Sequence, residues 1–169
     1  ALFDGDSGHL TKTFSSAGNR KKWSWHCIFK RTHEAGETSF FGGGATGTTN
    51  HKSNIRLGTK LTWQDQQGGS TVSLIYSVAE LRDTSAWYDL LVVYDTTTGV
   101  QDDRLKMFIN GVEDATAIST TLDDDEETDI NAAVVHRIGK SHHSTGQMFQ
   151  SGYIARMAFF DGQALTPSS

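Results

Sequence analysis

Several groups of residues in this chain have the side chains that chemistry or recognition would need. The run Asp123 to Asp129, D-D-D-E-E-T-D, is the densest in charge. Asp123, Asp125 and Asp129 are spaced closely enough to offer calcium the hard oxygen ligands it prefers. The run has no turn glycine and no EF-hand spacing, so a solvated acidic loop fits the same residues. A second group suits sugars, which need an aromatic plate for the apolar ring face and amide, carboxylate or guanidinium groups for the hydroxyls. In L-T-W-Q-D, Trp63 and Asp65 share one side of a strand, and Arg104 and Lys106 can add donors. Trp63 serves equally well as a core residue. The pair His142-His143 suggests zinc by residue type, but neighbouring positions on a strand point opposite ways and a loop fixes no geometry. His26 and His136 fall in strand-like segments and read as hydrogen-bonded structural residues. Cys27 is the only cysteine, which rules out an intramolecular disulfide and a cysteine-built metal site, and its apolar setting makes it a buried, inert residue. No nucleophile elbow, phosphate-binding loop or dinucleotide fingerprint is present.

Composition narrows the partners. The 169 residues amount to one domain, expected to span 1–169, and an apolar fraction of 36% can fill a core. No run approaches the roughly 20 apolar residues of a membrane-spanning helix, so no membrane insertion is expected. The opening A-L-F-D-G-D-S-G-H-L shows neither the basic region nor the apolar core of a secretory leader. A net charge of -5 argues against nucleic acid, which needs a basic face. With 17 glycines and a single proline, Pro167, the chain uses glycine for its turns and bulges, as many-stranded β domains do.

The elements that must position these groups read as strands. Trp87 to Asp95 is apolar on both faces and predicts a fully buried strand. After a polar loop, Arg104 to Ile109 alternates, with Leu105, Met107 and Ile109 on one side and Arg104, Lys106 and Phe108 on the other, the period of a strand with one wet side. Asn110-Gly111 then supplies the positive φ angles of a two-residue hairpin turn. Earlier, Trp23, Trp25, Cys27 and Phe29 alternate with Ser24, His26, Ile28 and Lys30 to give a second core strand. Shorter strands are predicted at 9–14, 39–45, 54–58, 60–65, 71–77, 134–140 and 152–160, and the glycines of S-F-F-G-G-G-A invite a bulge or a close backbone approach. From Thr116 to Asn131 the hydrophobic pattern fails, which predicts a surface loop. Apolar residues nowhere recur at helical spacing over three turns. About ten strands divided by turns make an all-β, antiparallel two-sheet sandwich or barrel.

The ordered series W-Y-D-L-L-V-V-Y-D, R-L-K-M-F-I-N-G-V, H-R-I-G-K and G-Y-I-A-R-M-A-F-F-D-G-Q-A-L-T resembles the concanavalin A-like lectin/glucanase superfamily, in particular its laminin-G-like and pentraxin-like branch. More narrowly, L-T-K-T-F-S-S-A-G-N-R-K-K-W-S-W and the closing G-Y-I-A-R-M-A-F-F-D-G-Q-A-L-T-P-S-S resemble a domain of tailed-phage virion proteins. The resemblance implies a jelly-roll sandwich on a tail, fibre or capsid surface, partnered by other virion proteins or by host surface polysaccharide and present in many copies. It further implies that the chain is one piece of a longer polypeptide or a small separate surface protein. In the phage proteins the last strand commonly carries an acidic residue where this chain has Arg156, so no charged surface site is carried over. Glucanases of the superfamily use an E-x-D-x-E strand motif. The nearest match is Glu127-Thr128-Asp129-Ile130-Asn131, whose last position is an asparagine that cannot protonate a leaving group. A non-enzymatic adhesion or structural domain is therefore expected, with no cofactor unless calcium binds the acidic run. The alternatives are a glycan-cleaving depolymerase and a calcium-dependent laminin-G-like adhesion domain.

Overall fold

Strand alternation puts the large side chains of this chain on one side, and two sheets close over them. The computed structural model describes residues 1–33, 36–44, 51–142 and 148–168. Its strands are β1 Leu2–Asp4, β2 Leu10–Thr13, β3 Lys22–Arg31, β4 Thr38–Gly44, β5 His51–Leu57, β6 Lys60–Gln67 and β7 Ser70–Glu80. They continue with β8 Tyr88–Asp95, β9 Leu105–Ile109, β10 Val112–Asp114, β11 Ala117–Thr120, β12 Val135–Ile138 and β13 Ser151–Asp161. Among the described residues the only helical turn is a 3-10 segment, Gln101–Asp103. One sheet has six strands in the order β1-β13-β3-β8-β9-β10, and the other has seven in the order β11-β7-β6-β5-β4-β12-β2. Neighbouring strands run antiparallel, and the whole is a jelly-roll sandwich.

The core follows from this alternation. Trp23, Trp25, Cys27 and Phe29 of β3 are fully buried, as are Leu90, Val92 and Tyr94 of β8. Trp23 stacks on Tyr94 with ring centroids 4.9 Å apart, and Trp63 of β6 packs against both at 5.6 and 5.3 Å, joining the two sheets. Phe40 of β4 meets Phe29 edge-on at 4.6 Å and joins them again further along. Such aromatic pairs add about 0.5–1.5 kcal/mol each beyond the area they bury. Burial pushes the Cys27 thiol up to about 12, in keeping with an inert residue.

The Asn110-Gly111 turn forms as the sequence predicts, with φ angles of 52° and 79° joining β9 to β10. The glycines of β4 allow the close backbone approach that their run suggested, since a Cβ on Gly43 would lie 2.2 Å from the Asp129 carbonyl oxygen, while the strand's bulge falls earlier, between Ser39 and Phe41. Three expectations need correction. Trp87 lies outside the buried strand and is half exposed, because the strand begins at Tyr88. The stretch after Thr116 is not only loop: Ala117–Thr120 pairs with β7, while Leu122 and Ile130 enter the core. Phe108 faces outward but is not wet. It forms a small apolar cluster with Leu91 and Val93 on the outer face of the six-stranded sheet. The C-terminal segment crosses that face, tied by Ser24, whose hydroxyl donates to the Gln163 carbonyl at 2.7 Å and accepts from the Leu165 amide at 3.0 Å.

Candidate functional site

The outer face of the seven-stranded sheet is where the residues do something a sandwich does not require. On β5, Ile55 and Leu57 point into the core, so Lys52, Asn54 and Arg56 point out. On β6, Leu61 and Trp63 point in, so Thr62, Gln64 and Gln66 point out. The register sets Arg56 opposite Thr62, Asn54 opposite Gln64 and Lys52 opposite Gln66. Strand β7 adds Tyr76 beside Thr62 and Leu74 beside Gln64, while β4 adds Ser39 beside Arg56 and Gly42 beside Asn54. Arg137 of β12 lies opposite Gly42. Gly42 makes room here, since a Cβ would come within 2.6 Å of the Asn54 Oδ1.

A polar outer face is ordinarily wet, but this one is not. Lys52 is 2% exposed, Asn54 0%, Thr62 2%, Arg56 7% and Gln64 9%. Residues near the end of the chain lie across it. The His142 Nε2 reaches the Gly42 carbonyl at 3.1 Å, its Nδ1 lies 3.1 Å from an Arg137 Nη1, and the Met148 Sδ sits 3.9 Å from an Arg56 Nη1. Arginine can only donate, so His142 Nδ1 accepts and Nε2 carries the proton. Burial, and then the Arg137 charge, push His142 down to about 4, which keeps it neutral. Burial holds Lys52 below its usual range, as does the nearby Arg56 charge, and burial alone does the same to Arg137.

Within this buried patch, five polar atoms have no hydrogen-bond partner: Oδ1 and Nδ2 of Asn54, Nε of Arg56, Oε1 of Gln64 and Oγ of Ser39. Each buried, unsatisfied group costs about 1–3 kcal/mol, so a cluster of them at adjacent register positions calls for an explanation. Tyr76 and Leu74, half buried, border the patch on the β7 side.

A second polar cluster lies at one end of the sandwich, where Arg20, Asp65, Gln67, Glu126, Glu127 and Asp129 line a recess of about 200 Å³. Asp65 is pushed up to about 6 by burial, helped by Asp129 and Glu126 and opposed by its hydrogen bonds. A raised carboxyl suits a general acid, but both oxygens of Asp65 are already engaged, one by the Ser53 hydroxyl at 2.5 Å and the other by Gln67 Nε2 at 3.2 Å. Arg20 ion-pairs with Glu127 at 2.6 Å and lies 3.6 Å from Asp129, while Glu126 accepts a hydrogen bond from Gln67 Nε2.

A family model described as the concanavalin A-like lectin/glucanases superfamily matches residues 4–169. The chain belongs to that superfamily. No curated protein matches it in sequence. In three dimensions it is similar to the native heptameric SAP-like pentraxin from Limulus polyphemus, with 17% identity over 98% of this chain and 76% of that one at a TM-score of 0.60. It is also similar to the CBM40 of the IT-sialidase from Ruminococcus gnavus, at 15% identity over 93% and 94% with a TM-score of 0.64. Domain 4 of AbnA, an extracellular arabinanase from Geobacillus stearothermophilus, aligns at 15% identity over 98% and 83% with a TM-score of 0.60.

Placed on this concanavalin A-like sandwich, the residues predicted from sequence do not form one site. Trp63 and Asp65 do share a side, but it is the inward one. Trp63 is fully buried, its indole N–H donating to the Ser73 hydroxyl, so it cannot be a sugar plate. Asp65 is 1% exposed and hydrogen-bonded within the chain. Arg104 and Lys106 belong to the six-stranded sheet's side of the molecule. Arg104 bonds the Thr98 and Leu122 carbonyls and lies 3.5 Å from Asp124, while Lys106 sits between Asp103 at 2.9 Å and Glu113 at 3.5 Å. The proposed calcium ligands do not converge either. Asp125 pairs with Lys21, Asp129 faces Arg20, and among the described residues no cluster of His, Cys, Asp or Glu has metal-binding geometry. Asp123 therefore has no partner ligands there. Of the histidine pair, His142 is held by Arg137 and Gly42, and His143 lies outside the described residues. His26 and His136 are hydrogen-bonded within the fold, to Asp89 and to the Asn131 amide and Val134 carbonyl. The outer face is hard to read from sequence because its residues are contributed by several strands. The available signal was N-I-R-L-G followed by K-L-T-W-Q-D, a hairpin in which Asn54, Arg56, Thr62 and Gln64 all alternate with core residues.

Proposed function

We propose that this domain is a non-catalytic glycan-binding module whose ligand lies on the outer face of the seven-stranded sheet. The observation that carries this reading is the half-buried rim of the polar patch, where the ring of Tyr76, the Gln66 amide and the Arg137 guanidinium stay partly open to solvent. Amide and guanidinium groups suit sugar hydroxyls, and a tyrosine ring suits the apolar face of a pyranose. The fold neighbours lend support: the R. gnavus CBM40 has been solved bound to α2,3- and α2,6-sialyllactose, and the AbnA domain in complex with arabinotriose. Hydrolysis with retention would need two carboxyl groups roughly 5 Å apart. The groups named on this face are amides, hydroxyls and cations, and the nearby Glu37 is ion-paired with Arg56 at 2.7 Å.

The test is retention of the protein on immobilised polysaccharides, together with an assay for reducing ends. Retention without cleavage is expected, and Tyr76→Ala and Gln66→Ala should each weaken it roughly tenfold, the worth of one good polar or stacking contact. Release of reducing ends would overturn the reading. So would binding that ignores both substitutions.

On the resemblance of its two end motifs to tailed-phage virion domains, we further propose that the module is displayed on a virion surface, where many weak copies act together. Mass spectrometry and antibody labelling of purified particles test this placement, and absence of the chain from particles would refute it.

A further inference from the structure

We propose that the open seam between β2 and β13 is a docking site for an extended strand of another polypeptide, which adds to the free edge of β13 in line with β1. The seam lies at the side of the sandwich, on neither outer face, so this docking stands apart from the glycan reading. Strand β1 covers only the beginning of β13, pairing Leu2–Asp4 with Ser151–Tyr153. The ladder runs on to Ala1, whose amine donates to the Ile154 carbonyl at 2.6 Å and whose carbonyl accepts from the Ile154 amide at 2.8 Å. Further along, Arg156–Phe160 pairs with β3 on one edge, and among the described residues no strand pairs with the other. Alternate N–H and C=O groups of that edge have no strand to receive them, which is the template a further strand needs.

The side chains beside this edge are those of a core that lacks one strand. Phe14, just after β2, stacks on the buried His136 ring at 4.3 Å, so Leu10 and Lys12 share its side and face the six-stranded sheet. Both His136 nitrogens are engaged, Nε2 by the Asn131 amide and Nδ1 by the Val134 carbonyl, so the ring offers the seam only its face. Together with Leu10, Phe41, Ile138 and Phe159, these rings line a recess of about 230 Å³. Facing the core ordinarily means burial, yet Leu10 is 60% exposed and Phe14, Ile138 and Phe159 are only half-buried. An apolar cavity of about 150 Å³ accepts a benzene, so this recess has room for one aromatic ring or a pair of aliphatic side chains. Lys12 and Phe14 also border a second, polar recess of about 410 Å³ whose walls include Ser15, Ser16 and Asn131. The two recesses therefore form one channel that follows β13 from Leu10 towards Asp161. Its occupant needs apolar side chains near Leu10 and polar ones near Asn131, all on one side of the backbone. An extended strand antiparallel to β13 meets this demand, because ladder pairing sets its direction and alternation turns every second side chain inward.

Calorimetry on the whole chain tests this with the blocked peptide acetyl-Thr-Thr-Phe-Thr-Val-Thr-amide, whose phenylalanine and valine face one way when extended. The permuted peptide acetyl-Thr-Thr-Phe-Val-Thr-Thr-amide sets them on opposite sides and should bind roughly tenfold more weakly. Two N-methylated versions of the first peptide carry the methyl groups on its odd or on its even residues. Only one set of amides can face β13, so one version should lose roughly tenfold in affinity and the other should keep it. Leu10→Asp, at an exposed position where the unfolding transition should match the parent's, should weaken the first peptide by a similar factor. Equal binding of the ordered and permuted peptides, or of the two methylated versions, overturns strand docking in favour of a general apolar site. Binding that ignores Leu10→Asp places the peptide elsewhere, and no binding at millimolar peptide refutes the site; either overturns the proposal. Sedimentation of the chain alone adds a last outcome: a dimer that Leu10→Asp dissociates would make a second copy the occupant and overturn the separate partner proposed here.

Discussion

The two outer faces of the sandwich solve the same problem in opposite ways. Each has side chains that alternation forces away from the core, and each is largely buried. On the six-stranded sheet the hidden side chains are Leu91, Val93 and Phe108, and the chain's own C-terminal segment lies over them. That face is complete in itself, because apolar groups ask only to be removed from water. On the seven-stranded sheet the hidden groups are Asn54, Arg56 and Gln64, and the chain hides them without pairing all their polar atoms. Burial stabilises the first face and costs the second. A cost concentrated on one patch of adjacent residues is the pattern of a surface shaped for something other than folding.

The contrast can be broken experimentally, first where the effect is largest. Phe108→Ala should destabilise the fold by about 3 kcal/mol, the usual range for losing a buried phenylalanine, and leave sugar binding unchanged. Urea unfolding and glycan retention measured on the same variant would show it, and loss of binding at intact stability would mean the two faces had been assigned the wrong way round.

Asp65 calibrates what burying a polar group costs in this molecule. Its folded value of about 6 lies above the ordinary carboxyl value of about 3.9, so the folded state holds the proton more tightly than the unfolded chain. The ionised form is therefore a penalty, absent below about pH 4, growing between about pH 4 and 6 and constant above. Asp65→Asn should then raise stability by about 2–3 kcal/mol at pH 8 and by little at pH 3.5. A gain independent of pH would show that burial of the charge is not the cause.

The smallest change should come at the patch itself. Asn54→Leu removes two unpartnered atoms and should stabilise the fold by about 1 kcal/mol in urea unfolding. If it destabilises, Asn54 is an ordinary structural residue and the contrast between the faces loses its sharpest member.

Much of this architecture is legible in the letters, for a definite reason. Trp23, Trp25, Cys27 and Phe29 alternate so strictly that their inward side is unambiguous, and Asn110-Gly111 has few conformations open to it other than a tight turn. Strand β11 is not legible in the letters because an edge strand of Ala117–Thr120 carries almost no apolar alternation. Trp63 and Asp65 were correctly paired on one side of β6, but alternation says only that two residues share a side and not which side is inside. The fully buried indole decides that, and it leaves Thr62 and Gln64 on the outer side of the same strand. Asn54 and Gln64 meet across a hairpin, and Tyr76, Ser39 and Arg137 arrive from further strands, so the patch exists only once five strands are in register.

The C-terminal segment lies on the reverse of the sandwich from the polar patch, and the opening strand Leu2–Asp4 pairs with β13 in that same six-stranded sheet. A carrier joined at either end would thus grip the module by its back. Copies mounted that way would turn their polar faces outward like tiles on a roof, each free to meet whatever the carrier approaches.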